Sequence, residues 1–326
     1  MPPKDYYDHM YDIEDLTHLN AKIRPRSAHI CAFEEMIREQ HCSEAVQGLR
    51  PHIKHDVFAQ MLVSALWAKD RIFFGMNKTL LDKSPKSCAL EELSEYLERT
   101  PVDTQQKMLV EVPVEKDWKQ LKINPADPAD VLRFYKETDS YVYELMAANN
   151  IIQTLFTFST MAERLQKLGV QNVLDYGGGA GTLSILLDRL GYDVTYADVI
   201  GKTFDFAKWR FQKRNLNIPM VELAGNERTD ILSPALTDHT FDCILSTEVI
   251  EHVPHPLDLI ASFAQKLPLG GIAVVSESCD YTEQFASHLE SNKKYGGAVF
   301  IEHMKEAGLH LLEYDVFIPQ QIFIKK

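Results

Sequence analysis

The stretch VLDYGGGAGTLSILLDRL, residues 173–190, sets a β-rich run against an amphipathic one with a glycine turn between them. Gly177, Gly179 and Gly181 permit a tight turn and a close backbone approach to the N-terminus of the helix that follows, where unpaired N–H groups gather. Downstream the alternation continues. NVLDY, DVTYADV, PMVELA, FDCILS and GIAVVSES read as strands, and TLSILLDRL, TFDFAKWRFQKRN and PLDLIASFAQKL as the helices between them. Strand and helix alternating at this pitch imply right-handed crossovers, hence a mainly parallel sheet with helices on both faces. A helix around AVFIEHMKEAG and two further runs, LHLLEYDVF and QQIFIKK, bring the expected count to seven strands, the last pair antiparallel at an edge.

Upstream, residues 1–168 show helical spacing and few strand-like runs. Phe58, Met61, Leu62, Ala65 and Leu66 share one helix face. Asp127 as N-cap, Pro128 at the first helical position and Asp130 in the first turn predict a second helix running on through Val131, Phe134, Tyr135, Val142 and Leu145. VEVPVEKDWKQLKINPADP, with three prolines, reads as a connection. The expected fold class is therefore α/β, a Rossmann-like sheet domain over residues 151–326 preceded by a mainly helical domain over 1–150. In TFDFAKWRFQKRN the aromatics Phe206, Trp209 and Phe211 are expected to turn toward the sheet, and Lys208, Arg210, Lys213 and Arg214 toward water.

The chain has 326 residues, room for about two domains. Its 34 Lys and Arg against 47 Asp and Glu give a net charge of −13, of which −8 falls from residue 169 onward and −5 before it. Phosphate backbones demand clustered basic residues, so DNA is excluded as an expected partner and RNA disfavoured. Cys31, Cys42, Cys88, Cys243 and Cys279 are odd in number and widely separated, which reads as free thiols in a reducing compartment. MPPKDYYDHMYDIEDL lacks the apolar run of a signal peptide, and no stretch of 18 apolar residues occurs. A soluble, cytoplasmic protein without membrane insertion is expected.

The glycine spacing is Gly-x-Gly-x-Gly, one residue tighter than the dinucleotide fingerprint. Asp175 closes the strand two residues before the first glycine, where a carboxylate would repel a pyrophosphate and attract a cation. D-x-G-x-G-x-G, met here as Asp175, Gly177, Gly179 and Gly181, resembles the first motif of class I S-adenosylmethionine-dependent methyltransferases. That resemblance implies three further cofactor contacts. Asp198, closing DVTYADV, would take the ribose hydroxyls. Asp230-Ile231, ahead of Phe241-Asp242, would meet the adenine. FDCILSTEVIEHVPHP resembles the fourth motif and contributes Glu248, while LPLGGIAVVSES resembles the turn into strand five.

Glu248, Glu251 and His252 lie within five residues, so one helical turn would group them on a face able to hold a divalent cation such as magnesium. The segment is similar to one in metal-dependent O-methyltransferases of small-RNA 3′ ends and of the ubiquinone pathway. The resemblance implies a second histidine after strand five, for which His288 is the match. The same E-x-x-E-H turn also occurs in metal-free methyltransferases, where it shapes the pocket. His252, alone or with Glu251, is the candidate for removing the acceptor proton.

The function implied is transfer of the sulfonium methyl to a small-molecule acceptor, with O-methylation in specialised metabolism ahead of C-, N- or S-methylation. A catalytically silent S-adenosylmethionine-binding protein is the alternative of another class. The N-terminal helices would then cover the cleft, select the acceptor or join two copies as a homodimer.

Overall fold

The computed structural model describes residues 85–110, 113–148, 158, 161–162, 164–225, 230, 236, 239–279, 285–314 and 320–326. Residues 75–150 belong to one compact unit with residues 161–326, so the described N-terminal helices are part of the body that carries the sheet. The helix expected around residues 58–66 lies outside the described residues.

The sheet has seven strands: β1 (Asn172–Tyr176), β2 (Asp193–Val199), β3 (Met220–Leu223), β4 (Cys243–Thr247), β5 (Ile272–Ser276), β6 (Leu309–Tyr314) and β7 (Gln321–Lys325), in the spatial order β3-β2-β1-β4-β5-β7-β6. β1 to β5 pair in parallel, and β7 runs antiparallel between β5 and β6, as the sequence led us to expect. Val173, Leu174, Ile244, Leu245, Ala273 and Val274 are fully buried because helices cover both faces, which explains why these strands are continuous apolar runs. Strand order reverses between β1 and β4. Crossovers leave in opposite directions there and open a crevice at the carboxyl ends of the strands. Asp175, Asp198 and Glu248 stand at or beside those ends.

Five helices with given bounds precede β1: α1 (Pro85–Tyr96), α2 (Pro101–Val110), α3 (Pro113–Gln120), α4 (Pro128–Glu137) and α5 (Ser140–Ala148). α3 corrects the reading of residues 110–128 as a connection. Pro113 opens the helix at a position where its missing N–H costs nothing, and Val114 and Trp118 bury one face beside Phe134. The α4 start is as expected, with the Asp127 carboxylate accepting from Ala129 N at 3.0 Å, a cap worth about 1 kcal/mol. Its end is not. The single helix expected through Leu145 breaks at Thr138, whose backbone is extended at ψ 137°. At the break Thr138 Oγ1 accepts from Ser140 N at 3.1 Å, and Asp117 of α3 accepts from the hydroxyls of both Thr138 and Ser140.

α6 (Thr182–Arg189), α7 (Lys202–Lys213), α8 (Pro256–Lys266) and α9 (Ala298–Glu306) are the remaining helices with given bounds. In α7, Phe206 and Phe211 are buried and Lys208 is exposed, as expected. Arg210 is not: it is 3% exposed, and the Arg214 side chain just beyond the helix is 7% exposed. Both point at Glu92 of α1, which offers a carboxylate where water was expected. Among the described residues no helix is long and apolar enough to cross a membrane.

Candidate active site

Three loops meet at the carboxyl edge of the sheet. The first is the glycine loop between β1 and α6. Gly177 and Gly181 sit at φ 73° and 72°, a region where a side chain is strained, and space is equally restrictive. A Cβ on Gly177 would lie 2.5 Å from Val249, and one on Gly181 2.7 Å from Phe211. Gly179 donates its N–H to Asp198 at 2.7 Å, while its carbonyl accepts the Tyr196 hydroxyl at 2.7 Å. The loop is thus tied to β2 through both backbone polar groups of one residue.

Asp175 is 3% exposed and accepts from Ser184 Oγ at 2.5 Å. Burial pushes its carboxyl up to about 6, Ser184 opposing and the charge of Asp198 adding to the rise. Burial likewise lifts Asp198 to about 6, against hydrogen bonds from Gly179 and Val199 N. Neither carboxylate has an ion-pair partner among the described residues. Two poorly solvated acids without a counter-charge suit a positively charged ligand, and a sulfonium meets that requirement.

The second loop follows β3. Asp230 is buried and accepts from Ala224 N at 3.1 Å and Gly225 N at 2.8 Å, so its carboxylate shapes the turn. Ile231 lies outside the described residues.

The third loop leaves β4. Glu248 takes φ 54°, an uncommon value for a residue with a side chain. Its N–H donates to Ser276 Oγ at 3.0 Å and its Oε2 accepts from Ser278 Oγ at 2.6 Å. The 3-10 turn Ile250–His252 then carries Glu251 and His252 inward. Glu251 has no exposed surface, and among the described residues neither carboxylate oxygen has a hydrogen-bond partner. Burial raises its carboxyl well above the usual range, and the neighbouring charge of Glu248 adds to the rise.

His288 completes the group. One ligand atom each from Glu251, His252 and His288 lie within 4.8 Å of one another, and the two imidazoles stand perpendicular with centroids 4.7 Å apart. His252 Nδ1 is 3.0 Å from the Ser287 carbonyl, and His288 Nδ1 is 3.2 Å from that of Ser278. A backbone carbonyl can only accept, so the hydrogen stays on Nδ1 in both rings and Nε2 keeps its lone pair. Burial and the neighbouring His288 push His252 down to about 3, and burial also lowers His288. Both rings are therefore neutral at pH 7, the form that ligates metal. Glu248 is exposed beside this trio rather than within it.

The sequence missed the wall opposite these loops. Leu145 of α5 lies against Gly179, and Leu132 of α4 against Gly225. Tyr135 and Tyr141 present their rings 6.1 and 6.2 Å from that of His252. Burial raises both phenols well above their usual range. Glu115 of α3 accepts from Ala286 N at 2.5 Å and so ties α3 to the segment bearing His288. The recurrence of tyrosine on either side of the Thr138 break was the available signal.

A sheet of this order, a glycine loop bounded by Asp175 and Asp198, and acidic loops after β3 and β4 define a class I S-adenosylmethionine-dependent methyltransferase. The profile of the methyltransferase-domain family matches residues 147–314, just over half of the chain, and the chain belongs to that family. A ubiquinone biosynthesis O-methyltransferase of Cereibacter sphaeroides is 33% identical over 152 residues, covering 46% of this chain and 56% of that protein. One from Pasteurella multocida is 28% identical over 164 residues, 49% and 64% of the two chains. One from Roseobacter denitrificans is 33% identical over 104 residues, 32% and 40%. The matches thus span between 40% and 64% of the length of these relatives. A solved structure of the N-methyltransferase NodS from Bradyrhizobium japonicum, in complex with S-adenosyl-L-homocysteine, overlaps 52% of this chain and 87% of its own at 21% identity and a TM-score of 0.37.

Proposed function

We propose that this protein methylates an oxygen of a small-molecule acceptor with S-adenosylmethionine, and that Glu251, His252 and His288 hold a divalent cation for that reaction with Glu248 beside them. The observation that carries the cation is Glu251, fully buried with both carboxylate oxygens unpartnered among the described residues, and grouped with two imidazoles whose Nδ1 atoms are already engaged. A buried carboxylate in that state is costly unless a cation joins it. The names of the relatives point to ubiquinone biosynthesis rather than to specialised metabolism, and the proposal extends to a small acceptor of either kind.

Asp198 would hold the ribose, Asp175 and the glycine loop the methionine part, and Asp230 the adenine. S-adenosylmethionine supplies an electrophilic methyl, and a divalent cation supplies a Lewis acid that lowers the pKa of a bound acceptor oxygen. The chain's own contribution is alignment and exclusion of water. α4 and α5 lie over the loops, and Tyr135 and Tyr141 line the wall at His252, so an acceptor seated there is shielded while it is aimed. His252 binds a proton too weakly at neutral pH to serve as a tuned base, which favours the role of ligand over that of proton acceptor.

The test is transfer of labelled methyl from S-adenosylmethionine to a panel of vicinal diols and hydroxy acids, before and after EDTA. Loss of transfer with EDTA and recovery with magnesium, manganese or zinc is expected. Full activity in protein verified metal-free would remove the cation from the proposal. Absence of transfer to oxygen, nitrogen, carbon and sulfur acceptors alike would favour the silent binding protein.

A further inference from the structure

α7 carries a buried cationic group that the chemistry described so far does not use. Arg210 donates from one terminal nitrogen to the Ala180 carbonyl at 2.5 Å and to Thr182 Oγ1 at 2.7 Å. Its Nε donates to Glu92 Oε2 at 3.2 Å, and Arg214 reaches Glu92 Oε1 at 2.6 Å. Ala180 lies between the two glycines Gly179 and Gly181, and Thr182 opens α6. The guanidinium therefore grips the glycine loop at its junction with the helix. Ala207 and Phe211, on the same face of α7, press on Gly181: a Cβ there would lie 3.3 Å from Ala207 and 2.7 Å from Phe211.

The anion that makes this burial tolerable comes from outside the sheet. Glu92 is 6% exposed on α1, and the contact between the helices is extended by Glu95 with Lys213 and by Tyr96 against Phe206 and Trp209. A buried guanidinium deprived of its carboxylate withdraws toward water or admits water to its site. Either change releases the Ala180 carbonyl, and with it the left-handed backbone on which the loop's shape rests.

We propose that Arg210 is a positioning residue of the cofactor site and that Glu92 holds it in place, so that α1 governs affinity for S-adenosylmethionine without touching it. The inference rests on the methyltransferase reading for its ligand but not for its geometry. A strut of this kind predicts that the loop loosens when Glu92 is neutralised even with no ligand present.

The experiment uses the full chain as wild type, Glu92→Gln, Arg210→Lys and, as a control, Phe300→Ala, which hollows the sheet core on α9. Two readouts are taken well below each melting temperature: amide hydrogen exchange over residues 177–184, and the Kd for S-adenosylhomocysteine by calorimetry. Glu92→Gln is expected to speed exchange across the loop and raise Kd by about tenfold or more, the scale of one charge-assisted hydrogen bond. Arg210→Lys keeps the charge but not the fork, and should do the same to a smaller degree. Phe300→Ala should lower the melting temperature and leave both loop readouts within about twofold. Unchanged loop exchange in Glu92→Gln, or changes no larger than those in Phe300→Ala, would overturn the strut. Faster loop exchange in Glu92→Gln than in wild type, together with no binding of S-adenosylhomocysteine to wild type, would uphold the strut and refute the cofactor reading.

Discussion

Replacing Gly181 with alanine separates two costs that the glycine loop combines. At φ 72° an alanine bears the left-handed penalty of about 1–2 kcal/mol. Its Cβ would also stand 2.7 and 2.8 Å from Phe211 Cε1 and Cζ and 3.3 Å from the Ala207 Cβ. Phe211 is 3% exposed, so its ring has little room to retreat, and overpacking of this kind adds about 1–3 kcal/mol. Gly191 supplies the reference. It sits at φ 89° with nothing within 4 Å of a Cβ, so Gly191→Ala bears the conformational cost alone. Urea unfolding should show Gly181→Ala less stable than Gly191→Ala by about 1–3 kcal/mol. Calorimetry with S-adenosylhomocysteine should show affinity weakened by about tenfold or more only in Gly181→Ala, since the displaced backbone is the one proposed to receive the ligand. Equal destabilisation by the two substitutions, or wild-type affinity in Gly181→Ala, would refute the reasoning.

Glu251→Gln keeps the shape of the side chain and removes the charge; thermal shift should show that added magnesium or zinc no longer raises its melting temperature, whereas wild type responds, and an equal response in both would contradict the ligand assignment. His288→Ala should reduce the same response, and a full response would place the cation elsewhere. Asp175 near 6 instead of the usual 3.8 means that the folded protein holds this proton more tightly than the unfolded chain, so ligand-free stability falls as pH rises from about 4 past 6. By pH 7 the cost reaches up to about 3 kcal/mol, at about 1.4 kcal/mol per pH unit. Asp175→Asn should therefore be more stable at pH 7, with a shallower pH profile and weaker S-adenosylhomocysteine binding, and an unchanged profile would count against the burial argument.

Local pattern carried the sheet. Val173–Tyr176, Gly177–Gly181 and the α6 face lie within one stretch, and their roles follow from alternation, left-handed backbone and helix period, each a property of near neighbours. The helical part was less legible where a distant residue decided the outcome. Asp117, which receives the Thr138 hydroxyl at the helix break, lies 21 residues upstream. Arg210 was assigned to solvent because its partner Glu92 lies 118 residues away. Three prolines disguised α3, although Pro113 is the helix's own first residue. At the site, Glu251 and His252 could be grouped by their spacing, whereas His288 came only through family resemblance, since a segment after β5 has no fixed spacing from one after β4. Tyr135 and Tyr141 could not be placed without knowing that α4 and α5 lie over the sheet edge.

The central claim is that the acidic edge of this sheet receives S-adenosylmethionine, and Asp198 tests it most directly. Its carboxylate already takes the N–H of Gly179 and Val199, so Asp198→Ala would lose both the proposed ribose acceptor and a tie on the loop. Calorimetric titration of S-adenosylhomocysteine into wild type and Asp198→Ala should show saturable one-to-one binding in the first and at least about tenfold weaker binding in the second, a loss of about 1.4 kcal/mol or more. Equal affinity in the two proteins, or no binding to wild type, would contradict the account.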